Sequence, residues 1–416
     1  MSQKRHFLII SQVFSPDPAA VGQYFDEAAK VIAKTGAGVT LLTANRGYDN
    51  PEKKFSKREI RDGIEIRRLP FSSFGKANLV LRIFAQLCFL TQCILRGFSS
   101  TKTTDLLVST SPPMAAITAV VIGLFRPNMK VHYWVMDINP DQAIALGAFT
   151  KGHPLVIALD WLNRRMLKRA DSVIALDRFM KARLEQKLER PSIELRNSIQ
   201  VIPPWPMDDY LAPIPHTENI FRKAQGWKDK FVIMYSGNHS LVHPLDTLLD
   251  AAELLRNDKR FVFAFIGGGK GKEVVEKRIH RIEYKYGPSS HSIQSLPYQP
   301  LEKICFSLSA ADLHVVSLGD KMSGIVHPCK IYGVLRIDRP LIALCPEDSY
   351  LKDIFEKDTI GWTIRHGETA NLIKVLLEAI ENKQNVLTNP KPAKSSTMNQ
   401  FSRSRLLSKF TGVINL

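Results

Sequence analysis

Apolar residues fall in short runs closed by glycine or proline, and these runs alternate with stretches spaced to bury one helical face. Phe231-Val-Ile-Met-Tyr235, closed by Ser236-Gly237-Asn238, and Phe261-Val-Phe-Ala-Phe-Ile266, closed by three glycines, predict parallel strands one helix apart. Their carboxyl ends would open onto close backbone approach, which suits nucleotide phosphates. Nearer the start, a strand over 7–10, a helix over 24–35 and a strand over 39–43 make a βαβ unit. Further strands are expected at 65–69, as a sheet edge, and at 105–109, 131–135, 172–176 and 200–202. Pro203-Pro204-Trp205-Pro206 removes three N–H donors and fixes φ, which marks a domain boundary.

Beyond the prolines the pattern restarts. Helices are expected over 244–255, 272–286, 301–310 and 330–335, and strands over 231–235, 261–266, 292–296, 313–316 and 340–343. A polar, loop-like interval at 389–396 precedes a last helix over 401–410. The fold class predicted is α/β, with two Rossmann-like doubly wound parallel-sheet domains facing a cleft. The domains are 1–203 and 204–400, with a terminal helix in 401–416 packing back toward the first.

Two longer apolar runs test that picture. Residues 79–95 are interrupted by Arg82, Gln86, Thr91 and Gln92, which argues against a membrane span. They read as a core helix, with shallow insertion into the inner leaflet as the alternative. Residues 115–125, after Pro112-Pro113, read as a buried helix. The apolar run at 7–10 is too short for a secretory signal, so a cytoplasmic location is expected. Five cysteines without a Cys-x-x-Cys pair predict free thiols and no zinc site.

A net charge of +17 calls for an acidic partner. The densest basic segment, 161–170, reads as an amphipathic helix, either a solvated outer helix or a surface toward anionic lipid. No nucleic-acid motif accompanies it. The run Gly267-Gly-Gly-Lys-Gly-Lys272 is not a P-loop, because Glu273 follows where Ser or Thr must reach magnesium. No Gly-x-Gly-x-x-Gly fingerprint follows the first strand, so kinase, ATPase and dehydrogenase readings lose support. Gly22 is expected just before the first helix, either turning the chain or exposing the helix amino end to a ligand.

Taken together, Tyr235-Ser-Gly-Asn238, Phe265-Ile-Gly-Gly-Gly-Lys270, Pro297-Tyr-Gln-Pro300, Ala310-Ala-Asp312 and Ser323-Gly-Ile-Val-His-Pro-Cys-Lys-Ile-Tyr332 resemble bacterial glycosyltransferase family 4. The early proline-rich loop, Ser111-Pro-Pro113 and Val201-Ile-Pro-Pro-Trp205 fit the same pattern, closest to the branch that builds exopolysaccharide and surface glycans. The resemblance implies a GT-B fold and a retaining transfer without a required metal or cofactor. A nucleotide-diphosphate sugar lies on the second domain, and a glycan or polyprenyl-linked acceptor enters from the first. An anionic membrane surface at the inner face of the plasma membrane would be a further partner, and nucleic acid would not.

The residues carried over follow from the motifs. Asn238 and His243 stand where the family has an arginine and a lysine for the donor phosphates, in the loop begun by Gly237, so Lys270 and Lys330 are the expected cations. Ser323 would supply a hydroxyl, and Gly324-Ile325-Val326 precede a helix whose amino end would meet the diphosphate. Ile325 and Gly333 replace the family's paired glutamates. Asp137 is expected to orient the acceptor hydroxyl or take its proton. Tyr298 and Gln299 are expected beside the base. The alternatives are a weakened or non-catalytic binding subunit of the same fold, and a nucleotide-sugar epimerase-like enzyme.

Overall fold

The structure is a computed structural model. It describes residues 4–416 except 18, 48–50, 75–78, 101, 111, 189–191, 193–194, 196–197, 207–210, 289, 358–359 and 382–399. Ser111 and the interval 389–396 therefore lie outside the described residues. The chain divides into two compact units, Met1–Pro203 with Leu406–Leu416, and Pro204–Arg405.

The first unit runs β1 His6–Ile10, α1 Ala20–Lys34, β2 Gly38–Ala44, β3 Arg58–Arg61, β4 Ile64–Leu69, α2 Leu79–Ser99, β5 Asp105–Ser109 and α3 Ala116–Phe125. It continues through β6 Lys130–Trp134, α4 Asp141–Ala145, α5 Pro154–Arg169, β7 Ser172–Ala175, α6 Arg178–Lys187 and β8 Ile199–Val201. Strand order is β3-β4-β2-β1-β5-β6-β7-β8. The strand at 65–69 is not the edge that the sequence suggests. Arg58–Arg61 pairs antiparallel outside it and takes the edge as a short strand with three charged residues of four, which discourages pairing with another chain.

From β1 the chain moves out to β2, then returns past β1 to β5. Right-handed crossovers therefore put α1 on one face and α2, α3 and α5 on the other, where α2 packs on α3 and α3 on α5. The expectation of a core helix at 79–95 is overturned, since only 28% of its apolar window is buried. Ala85, Phe89 and Cys93 face the fold, while the opposite side is open. The body of α3 is buried as expected, although Leu124 and Phe125 at its end are exposed.

The second unit has α7 Ile220–Ala224, β9 Phe231–Ser236, α8 Asp246–Leu254, β10 Phe261–Ile266, α9 Lys272–Tyr286, β11 Ile293–Leu296 and α10 Ile304–Ser309. After it come β12 Leu313–Ser317, α11 Lys330–Arg336, β13 Leu341–Leu344, α12 Tyr350–Lys357, β14 Gly361–Ile364 and α13 Thr369–Glu381. All pairings in the order β11-β10-β9-β12-β13-β14 are parallel. Continuous apolar strands such as Phe261-Val-Phe-Ala-Phe-Ile266 suit a sheet covered on both faces, and every residue of that strand is buried.

The last helix, α14 Arg403–Val413, contributes its buried Leu406 and Phe410 to the first unit. Phe410 meets the Trp134 ring at 5.0 Å, and Trp134 also meets Phe25 of α1. Arg5 fastens the chain end by donating to the Ile414 carbonyl while it pairs with Asp105. Burial opposes charge on Asp105, yet hydrogen bonds from His132, Arg5 and Thr104 outweigh it and hold the carboxyl well below its usual range.

The Ala-Ala-Asp motif has a structural basis. Asp312, fully buried, accepts from Arg222 at 2.9 Å and from the Val232 N–H at 2.8 Å, while Arg222 also caps the carbonyls of Ala310 and Lys230. Asp312→Ala leaves a guanidinium that is only 2% exposed without its counter-charge. Urea unfolding of the full chain is expected to show a loss of about 3–5 kcal/mol. A loss below about 1 kcal/mol would remove this pair as a main support of the second sheet.

Candidate functional site

In the second sheet the chain leaves β9 for β10 on one side and later returns to β12 on the other, so strand order reverses between β9 and β12. Loops at the carboxyl ends of strands around such a reversal diverge and leave room for a ligand. The loops after β9 and β12 are fastened at their bases, where Ser317 donates from Oγ to the Pro244 carbonyl and Gly319 donates from N to Val242.

The loops after β9 and β10 meet backbone to backbone. Gly237 donates to Ile266, His239 to Gly268, and Gly271 to His239. This contact requires glycine, because a Cβ on Gly267, where φ is +134°, would stand 2.0 Å from the Gly237 oxygen. On Gly268 a Cβ would come within 2.9 Å of the Tyr298 ring. Tyr298 is exposed over this loop, with its hydroxyl 3.4 Å from Asn238 Oδ1 and from the Gly268 carbonyl.

Lys330 reaches the same place from the start of α11. Its stem leaves no room for a Cβ on Gly237, and its ammonium lies 5.3 Å from the centre of the Tyr235 ring. Burial lowers its pKa to about 8, so at pH 7 it remains a cation, one that water serves poorly. His243 is held well below its usual pKa by burial and then by Lys330, and it is neutral. Of the two residues that replace the expected arginine and lysine, the exposed Asn238 and the neutral His243, neither brings a positive charge.

Other expected residues are placed as follows. Gln299 donates to the Pro297 carbonyl, and Lys270 is exposed at the turn before α9. Ser323, Gly324 and Ile325 lie in a turn where Gly324 has φ +67° and Ile325 is 2% exposed. The helix that follows begins at Lys330, as the sequence predicts, beyond His327-Pro328-Cys329. A Cβ on Gly333 would face the side chains of Leu211 and Leu308, an apolar setting.

Two participants escape the sequence reading. His239, 1% exposed, holds the loop from within through Nδ1 to the Gly237 carbonyl at 3.1 Å, and burial lowers its pKa to about 4. Lys272 donates from Nζ to the carbonyls of Phe265 and Leu296, each at 2.8 Å, and so ties the carboxyl ends of β10 and β11 together. The signal was the Gly-Lys pair after the glycine run. Its failure as a P-loop did not exclude a structural lysine.

The first sheet reverses between β1 and β5. Gly22 lies in the first turn of α1, not before the helix, because α1 begins at Ala20. A Cβ there would meet the backbone of Phe14 at 3.0 Å, so the glycine lets the helix close on the loop after β1. Asp137 follows β6, and the N–H groups of Met136 and Asp137 both donate to Thr110 Oγ1 at 3.1 Å. Burial raises the Asp137 pKa to about 6. Among the described residues no group of three or more His, Cys, Asp or Glu side chains could hold a metal ion.

Residues 19–205 match the glycosyl transferase 4-like domain. A probable glycosyltransferase, WbjE of Pseudomonas aeruginosa, is 22% identical over 373 residues, covering 90% of this chain and 89% of its own. The putative colanic acid biosynthesis glycosyl transferase WcaI of Escherichia coli strain K12 is 23% identical, covering 78% of this chain and 79% of its own. Among solved structures, Anabaena HepE in complex with UDP and glucose aligns over 99% of both chains with a TM-score of 0.71 at 15% identity, a likeness of fold.

Gly267→Ala tests the loop contact. The strained φ alone costs about 1–3 kcal/mol, and the overlap with the Gly237 oxygen adds to it. Chemical unfolding is expected to show at least that loss, and Gly36→Ala, at a positive-φ glycine with open space around it, a smaller one.

Proposed function

We propose, from the premise that this chain belongs to the bacterial family 4 glycosyltransferases, that it moves a sugar from a nucleotide-diphosphate donor to a growing surface glycan with retention of configuration. The second unit takes the donor, and the first takes a glycan or polyprenyl-linked acceptor. The enzyme works in the cytoplasm, peripheral at the inner face of the plasma membrane.

The observation that carries this reading is Lys330 beside the Gly237 turn. A departing diphosphate gathers negative charge, and a preorganised cation with nearby backbone N–H groups lowers the energy of that charge. Desolvation makes the ammonium a stronger partner for phosphate than a solvated lysine would be. Asn238 and Tyr298 border the loop and hold the nucleotide, with Gln299 on the same turn. Lys270, exposed at the loop tip, adds a mobile charge toward the phosphates. Ser323 supplies a hydroxyl and Gly324 a main-chain donor, whereas the Ile325 N–H already donates to the Met322 carbonyl.

In the first unit Asp137 accepts the proton of the acceptor hydroxyl or orients it. Its raised pKa, about 6, leaves it ionised at pH 7 yet basic enough to attract a proton. Gly22 keeps the first turn of α1 close to the loop after β1. The apolar surroundings of Ile325 and Gly333, where the family pattern has glutamates, favour a second reading in which the donor binds and turnover is slow.

Incubation with a panel of nucleotide-diphosphate sugars, with and without a membrane extract, separates the readings by nucleotide release. Transfer that requires the extract supports the first, and binding without release supports the second. Lys330→Ala is expected to lower kcat by about 10²–10³-fold. Nucleoside diphosphate affinity is expected to fall as pH rises above about 8, where Lys330 loses its proton, and Lys330→Met should flatten that limb. Without ligand the sign reverses. The lowered lysine pKa makes the folded chain bind fewer protons than the unfolded one between about 8 and 10.5, so Lys330 contributes stability that rises with pH there.

If Asp137 is the base, kcat/KM falls as pH drops through about 6, and Asp137→Asn removes both that limb and most activity. An unchanged acid limb in the variant would take Asp137 out of the reaction.

A further inference from the structure

The helical layer on one face of the first sheet carries an apolar surface that the transfer reaction does not use. On α2 the positions 80, 84, 87, 91, 95 and 98 follow one another three or four residues apart, so they form a single stripe along the helix. Val80, Phe84, Leu87, Leu95 and Phe98 occupy it with Thr91, and Val80 is 74% and Leu95 60% exposed. At the far end of the stripe Phe98 meets the Phe125 ring edge-on at 5.1 Å, which joins it to the exposed end of α3.

The next helix of the layer continues this surface with charge. On α5, Ile157, Trp161, Arg165 and Lys168 share one exposed side, apolar in its first half and basic in its second. The Arg165 guanidinium lies 5.3 Å from the Trp161 ring. Between residues 79 and 125 the sole carboxylate in the sequence is Asp105, which is buried and paired with Arg5. An exposed apolar strip without negative charge, continued by basic and Trp side chains, is complementary to a lipid surface with anionic headgroups.

We propose that the outward surface of α2, α3 and α5 docks on an anionic lipid bilayer, with α2 lying in the plane of the interface. Length and composition would let α2 cross a bilayer. Its other side forbids that while the unit is folded, because Ala85, Phe89 and Cys93 are buried and Ile122 of α3 occupies the space a Cβ on Gly97 would need. The peripheral location proposed above rests on the acceptor, whereas the docking face rests on exposure and charge, so the two fail separately.

The test uses the full chain with vesicles of phosphatidylcholine alone or mixed with phosphatidylglycerol. Trp161 reports the contact, because Trp134, Trp205 and Trp227 are at most 1% exposed and Trp362 packs on the second unit's core. The chain is expected to be monomeric without lipid and to float with the mixed vesicles at low salt. Brominated lipid should quench Trp161. Combining Val80→Ser, Phe84→Ser and Leu87→Ser, all at exposed positions, is expected to weaken vesicle binding by about tenfold or more with an unchanged melting temperature. Arg165→Glu with Lys168→Glu should weaken it strongly at low salt and little at about 0.5 M. Lys330→Ala should float as the unaltered chain does.

Three results overturn the proposal. The chain stays off mixed vesicles at low salt, the triple variant floats undiminished, or gel filtration shows a dimer that the triple variant dissolves. The last would make this face a contact between copies.

Discussion

Two glycine-bearing loops at the carboxyl edge of the second sheet touch main chain to main chain, and the geometry of the candidate site depends on that contact. With the Gly267 backbone pressed against the Gly237 carbonyl, the loop after β9 is fixed by main-chain hydrogen bonds to its neighbour, reinforced from beneath by the His239 and Tyr235 side chains. Its outer surface is then free for a ligand to approach closely. Lys330 fills the one flank that a side chain on Gly237 would have taken. His239 and Lys272 complete the arrangement from below by spending their donors on main-chain carbonyls.

The electrostatics follow from burial. Four nitrogen bases gather around this loop, and desolvation lowers the proton affinity of each, so the two histidines are neutral and Lys330 and Lys272 keep a charge at neutral pH. Only Lys330 is uncommitted to a carbonyl among the hydrogen bonds described for these two lysines. No carboxylate stands at Ile325 or Gly333, whose surroundings are apolar.

The first unit uses the same β-sheet logic for a different purpose. Its sheet is closed at one edge by the charged β3 and stapled near the other end by the C-terminal helix, whose Phe410 fills the ring cluster of Phe25 and Trp134. The helical layer on the opposite face remains incompletely covered. An apolar stripe there costs solvation free energy of water contact, a cost that contact with a lipid interface offsets.

Much of the architecture was legible in order and spacing. Continuous apolar strands closed by glycine, the proline run at 203–206 and the alternation of periods determine two parallel α/β sheets, because backbone pairing and face burial leave few other solutions. The cation at 330 and the glycine loops were legible too, through the family motifs. Three things were decided only by tertiary structure. The neighbour of a strand is chosen by a distant segment, so the place of β3 outside β4 was hidden. Which side of an apolar helix is buried depends on what packs there, so α2 was read as core although its stripe is open. The state of a titratable group depends on water excluded by residues far along the chain, which is why the neutral His239 and His243 and the carbonyl-bound Lys272 emerge only from the folded protein.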